Sequence, residues 1–205
     1  MKQRRTSQPR PGAPGRLRIV AGEWRGRRLA VPSAPGLRPT PDRVRETLFN
    51  WLQGIVPGAR CLDLFAGAGG LGFEAASRGA ARVVMVEAAP RVAAHLREQV
   101  QLLGAADRVE VIAADALAYL ARCDEGFDLV FLDPPFHSDL LSMALAGLAR
   151  GRCLRPGARV YVEYAASGQP PALPEGWRIA REGRAGDSAH LLTAPIGMGS
   201  ANERE

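Results

Sequence analysis

The chain has 205 residues, 46% of them hydrophobic and 23% charged, with a formal net charge of +6. That is enough for one domain with a small appendage, in the composition of an ordinary globular protein. No apolar run approaches the roughly 20 residues of a membrane helix. The arginine-rich start has no apolar segment behind it, so no secretory signal is expected and the cytoplasm is the expected compartment.

The positive charge is local. Residues 1–30 hold Lys2 and eight arginines against Glu23 alone, a net of +8, so the other 175 residues sum to −2. Concentrated positive charge favours a polyanion, because each neutralised phosphate releases condensed counterions. Residues 1–15 are almost without apolar side chains and are expected to be a disordered basic tail. Arg16–Ala21 and Arg27–Val31 alternate basic and apolar residues around 22–26, which predicts a β-hairpin with a five-residue loop. Its arginines and Trp24 are expected to share an exposed surface. So small a hairpin is marginal alone and should pack on the main domain. Residues 32–39 read as a linker, which gives an N-terminal unit of 16–39.

Thr40-Pro41-Asp42 predicts a helix start, with a hydroxyl N-cap and proline at the first helical position. The helix runs to about Gly54. Strands at 60–65, 82–87, 108–113, 127–132 and 158–164 then alternate with helices at 71–78, 90–103, 115–122 and 138–150. Two further strands, near 176–182 and 188–194, have no helix between them. Alternation of this kind implies an α/β, doubly wound, mostly parallel sheet of Rossmann-like type, with an antiparallel hairpin at one edge. The main domain is expected over 40–196, followed by a disordered tail at 197–205. Cys61, Cys123 and Cys153 form no C-x-x-C pair, so neither a disulfide framework nor a metal site is indicated.

Gly67, Gly69 and Gly72 follow the first strand of the sheet with the G-x-G-x-x-G spacing. Glycines there turn the chain sharply and let a ligand approach main-chain N–H groups. Four acids fall at strand ends: Asp63, Glu87, Asp115 and Asp133. In such sheets ligands bind outside the carboxyl ends of the strands. Glu87 is placed for both hydroxyls of a ribose and Asp115 for an adenine amino group. NAD and S-adenosylmethionine both fit. An acid at Asp63 would repel a pyrophosphate but tolerates a sulfonium or amino group, so charge favours S-adenosylmethionine. In Asp133-Pro134-Pro135-Phe136, the tandem prolines hold Asp133 in extended geometry. The Asp133 carboxylate and Pro134 carbonyl can then accept both hydrogens of a planar NH₂ group, and Phe136 offers a stacking face for a flipped base.

Asp63-x-Phe65-x-Gly67-x-Gly69, Glu87, Asp115 and Asp133–Phe136 resemble the motif series of class I S-adenosylmethionine-dependent methyltransferases acting on exocyclic amines. Residues 18–29 (RIVAGEWRGRRL) and 38–46 (RPTPDRVRE) resemble, further, the bacterial small-subunit rRNA guanine-N2 methyltransferases of the RsmD type. The likeness runs from about Arg18 to Glu163. It implies an adenosyl cofactor held by Asp63, Phe65, Gly67, Gly69, Glu87, Ala88, Asp115 and Ala116. It implies a target guanine held by Asp133, Pro134, Pro135 and Phe136. The implied partner is 16S rRNA of the small ribosomal subunit, contacted by Arg18, Trp24, Arg25, Arg27, Arg38, Thr40 and Arg43.

The expected chemistry is in-line displacement at the sulfonium methyl, with hydrogen bonds drawing the delocalised N2 towards sp³ geometry. No cysteine neighbours the Pro-Pro turn, which argues against pyrimidine C5 methylation. Alternatives are an amine methyltransferase on DNA or protein, disfavoured for DNA by the lack of a target-recognition domain, and a non-catalytic RNA-binding assembly factor. Arg43 or Arg45 can clamp the cofactor carboxylate or RNA, at least one of them being a surface ion-pair partner. His95 and His190 read as structural, and His137 as a surface residue at a helix start.

Overall fold

Val83-Val84-Met85-Val86 and Leu129-Val130-Phe131-Leu132 are all buried, the pattern of strands covered on both faces. The computed structural model describes residues 15–32, 40–136 and 138–196. The expected tails at 1–14 and 197–205, linker residues 33–39 with Arg38, and His137 lie outside the described residues.

In chain order the elements are β1 (Gly15–Arg18), β2 (Arg28–Val31), α1 (Asp42–Trp51), β3 (Arg60–Asp63), α2 (Gly70–Ser77), β4 (Arg82–Glu87), α3 (Pro90–Leu103) and β5 (Val109–Ala113). Then follow α4 (Ala116–Arg122), β6 (Phe127–Leu132), α5 (Leu140–Arg150), β7 (Leu154–Ala165), β8 (Trp177–Ala185) and β9 (Ser188–Pro195). β1 and β2 form a separate antiparallel pair, and the seven-stranded sheet has the order β5-β4-β3-β6-β7-β9-β8. Pairing is parallel from β5 to β7 and antiparallel at β7–β9 and β9–β8. One core joins α1, α2, α3 and the β1–β2 hairpin on one face; the other joins α4 and α5 on the opposite face. This is the expected doubly wound sheet with an antiparallel edge hairpin. Among the described residues no helix is long and apolar enough to cross a membrane.

Differences from expectation have local causes. β7 begins at Leu154 rather than near 158, because Leu154 pairs with Phe127 before a register shift. Pro156-Gly157 fills that irregularity, and reads in sequence as a break. The N-terminal strands are short: after Ile19 the chain turns its N–H groups away, Val20 and Ala21 donating to the Glu74 carboxylate at 2.8 and 3.0 Å. The loop then crosses the end of α2, where Glu23 N donates to Ser77 O at 2.8 Å and Trp24 N to Ser77 Oγ at 3.0 Å. Gly22 makes this approach possible, with φ 82° and a position where a Cβ would lie 1.9 Å from Ser77 O.

Candidate active site

β3 lies where the strand order reverses, with β4 and β5 wound to one side and β6 and β7 to the other. The crevice at its carboxyl end is the switch-point position. Asp63 ends β3 fully buried, and its Oδ2 accepts from Gly72 N at 2.9 Å. Burial pushes its carboxyl up to about 7, opposed by the Gly72 N–H and reinforced by the charge of Glu87. Glu87 ends β4 and holds two main-chain groups: Oε2 accepts from Gly67 N at 2.9 Å and Oε1 from Ala89 N at 2.8 Å. Gly69, at φ 78°, turns the chain into α2. A Cβ there would sit 2.5 Å from the Phe73 ring and 2.9 Å from Leu96. Phe65 is half-buried, Ala88 exposed and Ala116 buried beside the same rim. Asp115 is exposed at the start of α4, its Oδ1 accepting from Ala118 N at 2.9 Å.

Asp133 follows β6. Its Oδ2 accepts from the Thr40 hydroxyl at 3.2 Å. Desolvation, then the charges of Glu163 and Asp63, push its carboxyl up to about 8 against that hydrogen bond. Pro134 is buried, Pro135 exposed, and Phe136 40% exposed, so one aromatic face stands open beside the acid. Glu163 on β7 completes an acidic group, and the sequence pattern does not single it out. It is buried and accepts from Tyr161 OH at 3.0 Å and Ser188 Oγ at 2.5 Å, while burial raises its carboxyl too. An acid ending the apolar run Val160-Tyr161-Val162 is the one signal that could have found it. Asp63, Asp133 and Glu163 take these hydrogen bonds from a main-chain N–H and from hydroxyls, all neutral donors. The rim is therefore preorganised for a cation or for N–H donors.

Several expectations need correction. Thr40 does not cap α1: the helix starts at Asp42 with Pro41 at the N-cap and no side-chain cap, because the Thr40 hydroxyl is spent on Asp133. Trp24 is not on an exposed surface with the arginines. It is 3% exposed, packed in the core, with the Arg108 guanidinium 4.7 Å from its ring centroid and Arg108 Nη2 bonded to Glu23. Its apolar bulk buries against the domain that the hairpin needs for stability, so it offers no face to RNA. Arg45 is neither a clamp nor a surface partner. It is fully buried and donates to Glu74 at 3.0 Å, Asp42 at 2.6 Å, Arg18 O at 2.6 Å and Thr40 O at 3.2 Å.

Arg18, Arg25, Arg27 and Arg43 are exposed, Arg18 donating to Asp42 at 2.8 Å. Arg25, Arg43 and Arg78 line a polar groove of about 430 Å³ between the hairpin loop and α1, with Glu46, Thr47 and Asn50. A larger apolar groove, about 520 Å³, lies between α4 and α5. It carries no titratable group of the rim. His95 meets Ala30 O at 2.7 Å, and His190 is buried against Trp51 and Tyr161. Cys61 and Cys153 are buried, their thiols pushed up by desolvation. Among the described residues no cluster of His, Cys, Asp and Glu has the makings of a metal site.

A doubly wound sheet ending in an antiparallel hairpin, with a glycine turn and acids along the carboxyl rim, is a Rossmann-like methyltransferase fold. Magnesium protoporphyrin IX methyltransferase from Synechocystis, at 22% identity and a TM-score of 0.57, shares that fold. Residues 17–194 match the family described as Conserved hypothetical protein 95, and the chain belongs to it, the RsmD family. The chain is 45% identical over 185 residues to Ribosomal RNA small subunit methyltransferase D of Haemophilus influenzae, covering 89% of this chain and 95% of that one. The protein of the same name from Escherichia coli K12 is 42% identical, covering 90% and 93%. The solved structure of yhhF from Escherichia coli superposes with a TM-score of 0.82 at 39% identity, covering 89% of this chain and 99% of that one.

Proposed function

We propose that this protein methylates the exocyclic N2 amine of a guanine in 16S rRNA of the small ribosomal subunit, acting in the cytoplasm. The Haemophilus influenzae and Escherichia coli relatives are named small-subunit rRNA methyltransferases, and S-adenosylmethionine is the methyl donor. The observation that carries the reading to an exocyclic amine is Asp133. It is a carboxylate at the end of β6 with one oxygen held by Thr40, beside the Pro134 carbonyl and an exposed Phe136.

The residues present fit the cofactor. Asp63 and Asp133 are acids raised by burial and by neighbouring acids, a setting that favours a positively charged ligand. Each Glu87 oxygen accepts one main-chain N–H, leaving a lone pair on each for ribose hydroxyls. When bound, S-adenosylmethionine supplies an electrophilic methyl group on a sulfonium. Asp133 and the Pro134 carbonyl take the two amine hydrogens and aim the nitrogen lone pair. As the nitrogen gains its methyl group it must lose one proton. Asp133, with its raised pKa, is placed to receive it.

Labelled methyl transfer to naked rRNA, assembled small subunits, duplex DNA and protein tests the substrate class. The reading expects incorporation into small-subunit rRNA or its particle, and incorporation only into DNA or protein overturns it. For the cofactor, Glu87→Ala is expected to weaken S-adenosylmethionine binding by about 1.5–3 kcal/mol, the range for hydrogen bonds to a charged group. Calorimetry checks this, and unchanged affinity would remove Glu87 from the ribose.

The hairpin and linker, 16–39, with Arg43 beyond them, serve as the RNA-contacting unit in this proposal. Deleting residues 1–31 does not isolate that role. It strips the buried Leu17, Ile19, Leu29 and Val31 and two of the main-chain groups that satisfy Glu74. Changing charge alone is the cleaner test. Arg25→Gln, Arg27→Gln and Arg43→Gln together are expected to weaken RNA binding. They should also flatten its salt dependence, by roughly 0.7–0.9 in the log–log slope for each phosphate no longer neutralised. An unchanged slope would show that the RNA runs elsewhere.

A further inference from the structure

Thr40, two residues before α1, meets Asp133 and is held from more than one side. Thr40 is 9% exposed, and its hydroxyl reaches Asp133 Oδ2 at 3.2 Å, across 93 residues of sequence. Its own carbonyl accepts from Arg45 Nε at 3.2 Å. The same guanidinium donates through Nη2 to Arg18 O at 2.6 Å, the last residue of β1, and through Nη1 to Glu74 Oε2 at 3.0 Å. Glu74 in turn accepts Val20 N and Ala21 N from the hairpin. A continuous run of hydrogen bonds thus joins the hairpin backbone, Arg45, Thr40 and the Asp133 carboxylate.

We propose that Thr40 is a positioning residue for methyl transfer, orienting the Asp133 carboxylate from a backbone that Arg45 locks to the β1–β2 hairpin. This rests on the reading of Asp133 as the group that holds the target amine. A carboxylate next to a turn can rotate about χ2. A hydroxyl on Oδ2 restrains that rotation and leaves Oδ1 for the amine, and a group of this kind has to be held within about 10–20° of its productive direction. Among the described residues, Asp63, Glu163 and Tyr161 are the titratable groups whose charges act on Asp133 or feel it. The two acids repel a carboxylate rather than orient it, and the Tyr161 hydroxyl donates to Glu163 at 3.0 Å. The Thr40 hydroxyl, by contrast, donates to it directly. The lock also ties the surface that carries Arg25 and Arg27 to the acid. RNA seated on the hairpin is therefore registered against the same backbone that sets Asp133.

Thr40→Val and Thr40→Ser separate this from a packing role. Valine keeps the shape and removes the donor; serine keeps the donor and loses a methyl. The measurement is single-turnover methyl transfer to the RNA substrate with cofactor saturating, across pH 5.5–9.5, alongside RNA and cofactor affinities and thermal melts. Thr40→Val is expected to lower the chemical rate on the order of tenfold with both affinities unchanged. Its acidic limb should move to higher pH, because the Thr40 hydrogen bond favours the ionised carboxylate and its loss raises the Asp133 pKa. Thr40→Ser should restore both rate and limb. A slow Thr40→Val with an unmoved limb, or a Thr40→Val indistinguishable from wild type, overturns the proposal. If valine prevents folding, the proposal stands or falls on serine, which must match wild type within about twofold in rate. Asp133→Asn is run beside them. If it alone keeps the wild-type rate, the reading of Asp133 has failed. If it is slow while Thr40→Val is not, only the positioning role has.

Discussion

Asp133→Asn is expected to lower the single-turnover rate of methyl transfer on the order of a hundredfold or more, with cofactor affinity nearly unchanged. The substitution keeps size and one acceptor oxygen but removes the negative charge that stabilises positive charge developing on the amine. Asp133→Ala should be slower still, because an amide retains one hydrogen bond. The pH dependence adds a second readout. If Asp133 acts as proposed, the ionised carboxylate is the active form, and its pKa is raised to about 8 by burial and by Glu163 and Asp63. The rate should therefore rise with pH along a limb that is absent in Asp133→Asn. A cationic cofactor and a donating amine both favour the ionised form, so the limb in the ternary complex should fall below that value. Near wild-type rates for both variants would reduce the Pro-Pro segment to a turn.

The largest effect on stability is expected at Arg45. Arg45→Met leaves Glu74 fully buried with the guanidinium gone, its remaining partners being Arg78 Nε at 2.8 Å and the Val20 and Ala21 N–H groups. Four hydrogen bonds vanish at once, including those that hold Asp42 and the carbonyls of Arg18 and Thr40. Breaking one side of a buried ion pair destabilises by about 3–5 kcal/mol. For a chain of this size that is on the order of 10 °C in melting temperature. Combining Arg45→Met with Glu74→Gln should recover part of the loss, because the orphaned charge is removed while an acceptor remains for the hairpin. Denaturant melts of the single and double variants measure both quantities. A loss under about 1 kcal/mol for Arg45→Met would put this pair in the range of a surface ion pair.

How much of this was legible in the residues depended on whether the cause was local. β4 at 82–87, α3 at 90–103 and β6 at 127–132 have the bounds expected of them. Apolar runs and a proline at the start of α3 define them within a few residues. The acids at strand ends were visible for the same reason, since a strand that stops at an acid states its own register. Thr40, Trp24 and Arg45 were not legible, because their partners lie far away in sequence. Thr-Pro-Asp is a good local helix start, and only Asp133, 93 residues on, draws the hydroxyl elsewhere. Trp24 sits among arginines in sequence, yet the end of α2 and Arg108 enclose it. Arg45 lies one helical turn from the charged surface residue Asp42, and its burial depends on Glu74 being buried opposite it. Glu163 was not legible either, because an acid in an apolar strand signifies little until the neighbouring strands bring Asp133 and Ser188 beside it.

The most direct test of the account is the chemical identity of the product. Small-subunit rRNA, free and assembled, is treated with the protein and S-adenosylmethionine carrying a labelled methyl group, then digested to nucleosides and resolved by chromatography and mass spectrometry. The label is expected in N2-methylguanosine, and is expected to be lost in parallel with rate in Asp133→Asn. Label on a ring carbon, a ribose oxygen or a different base would contradict it.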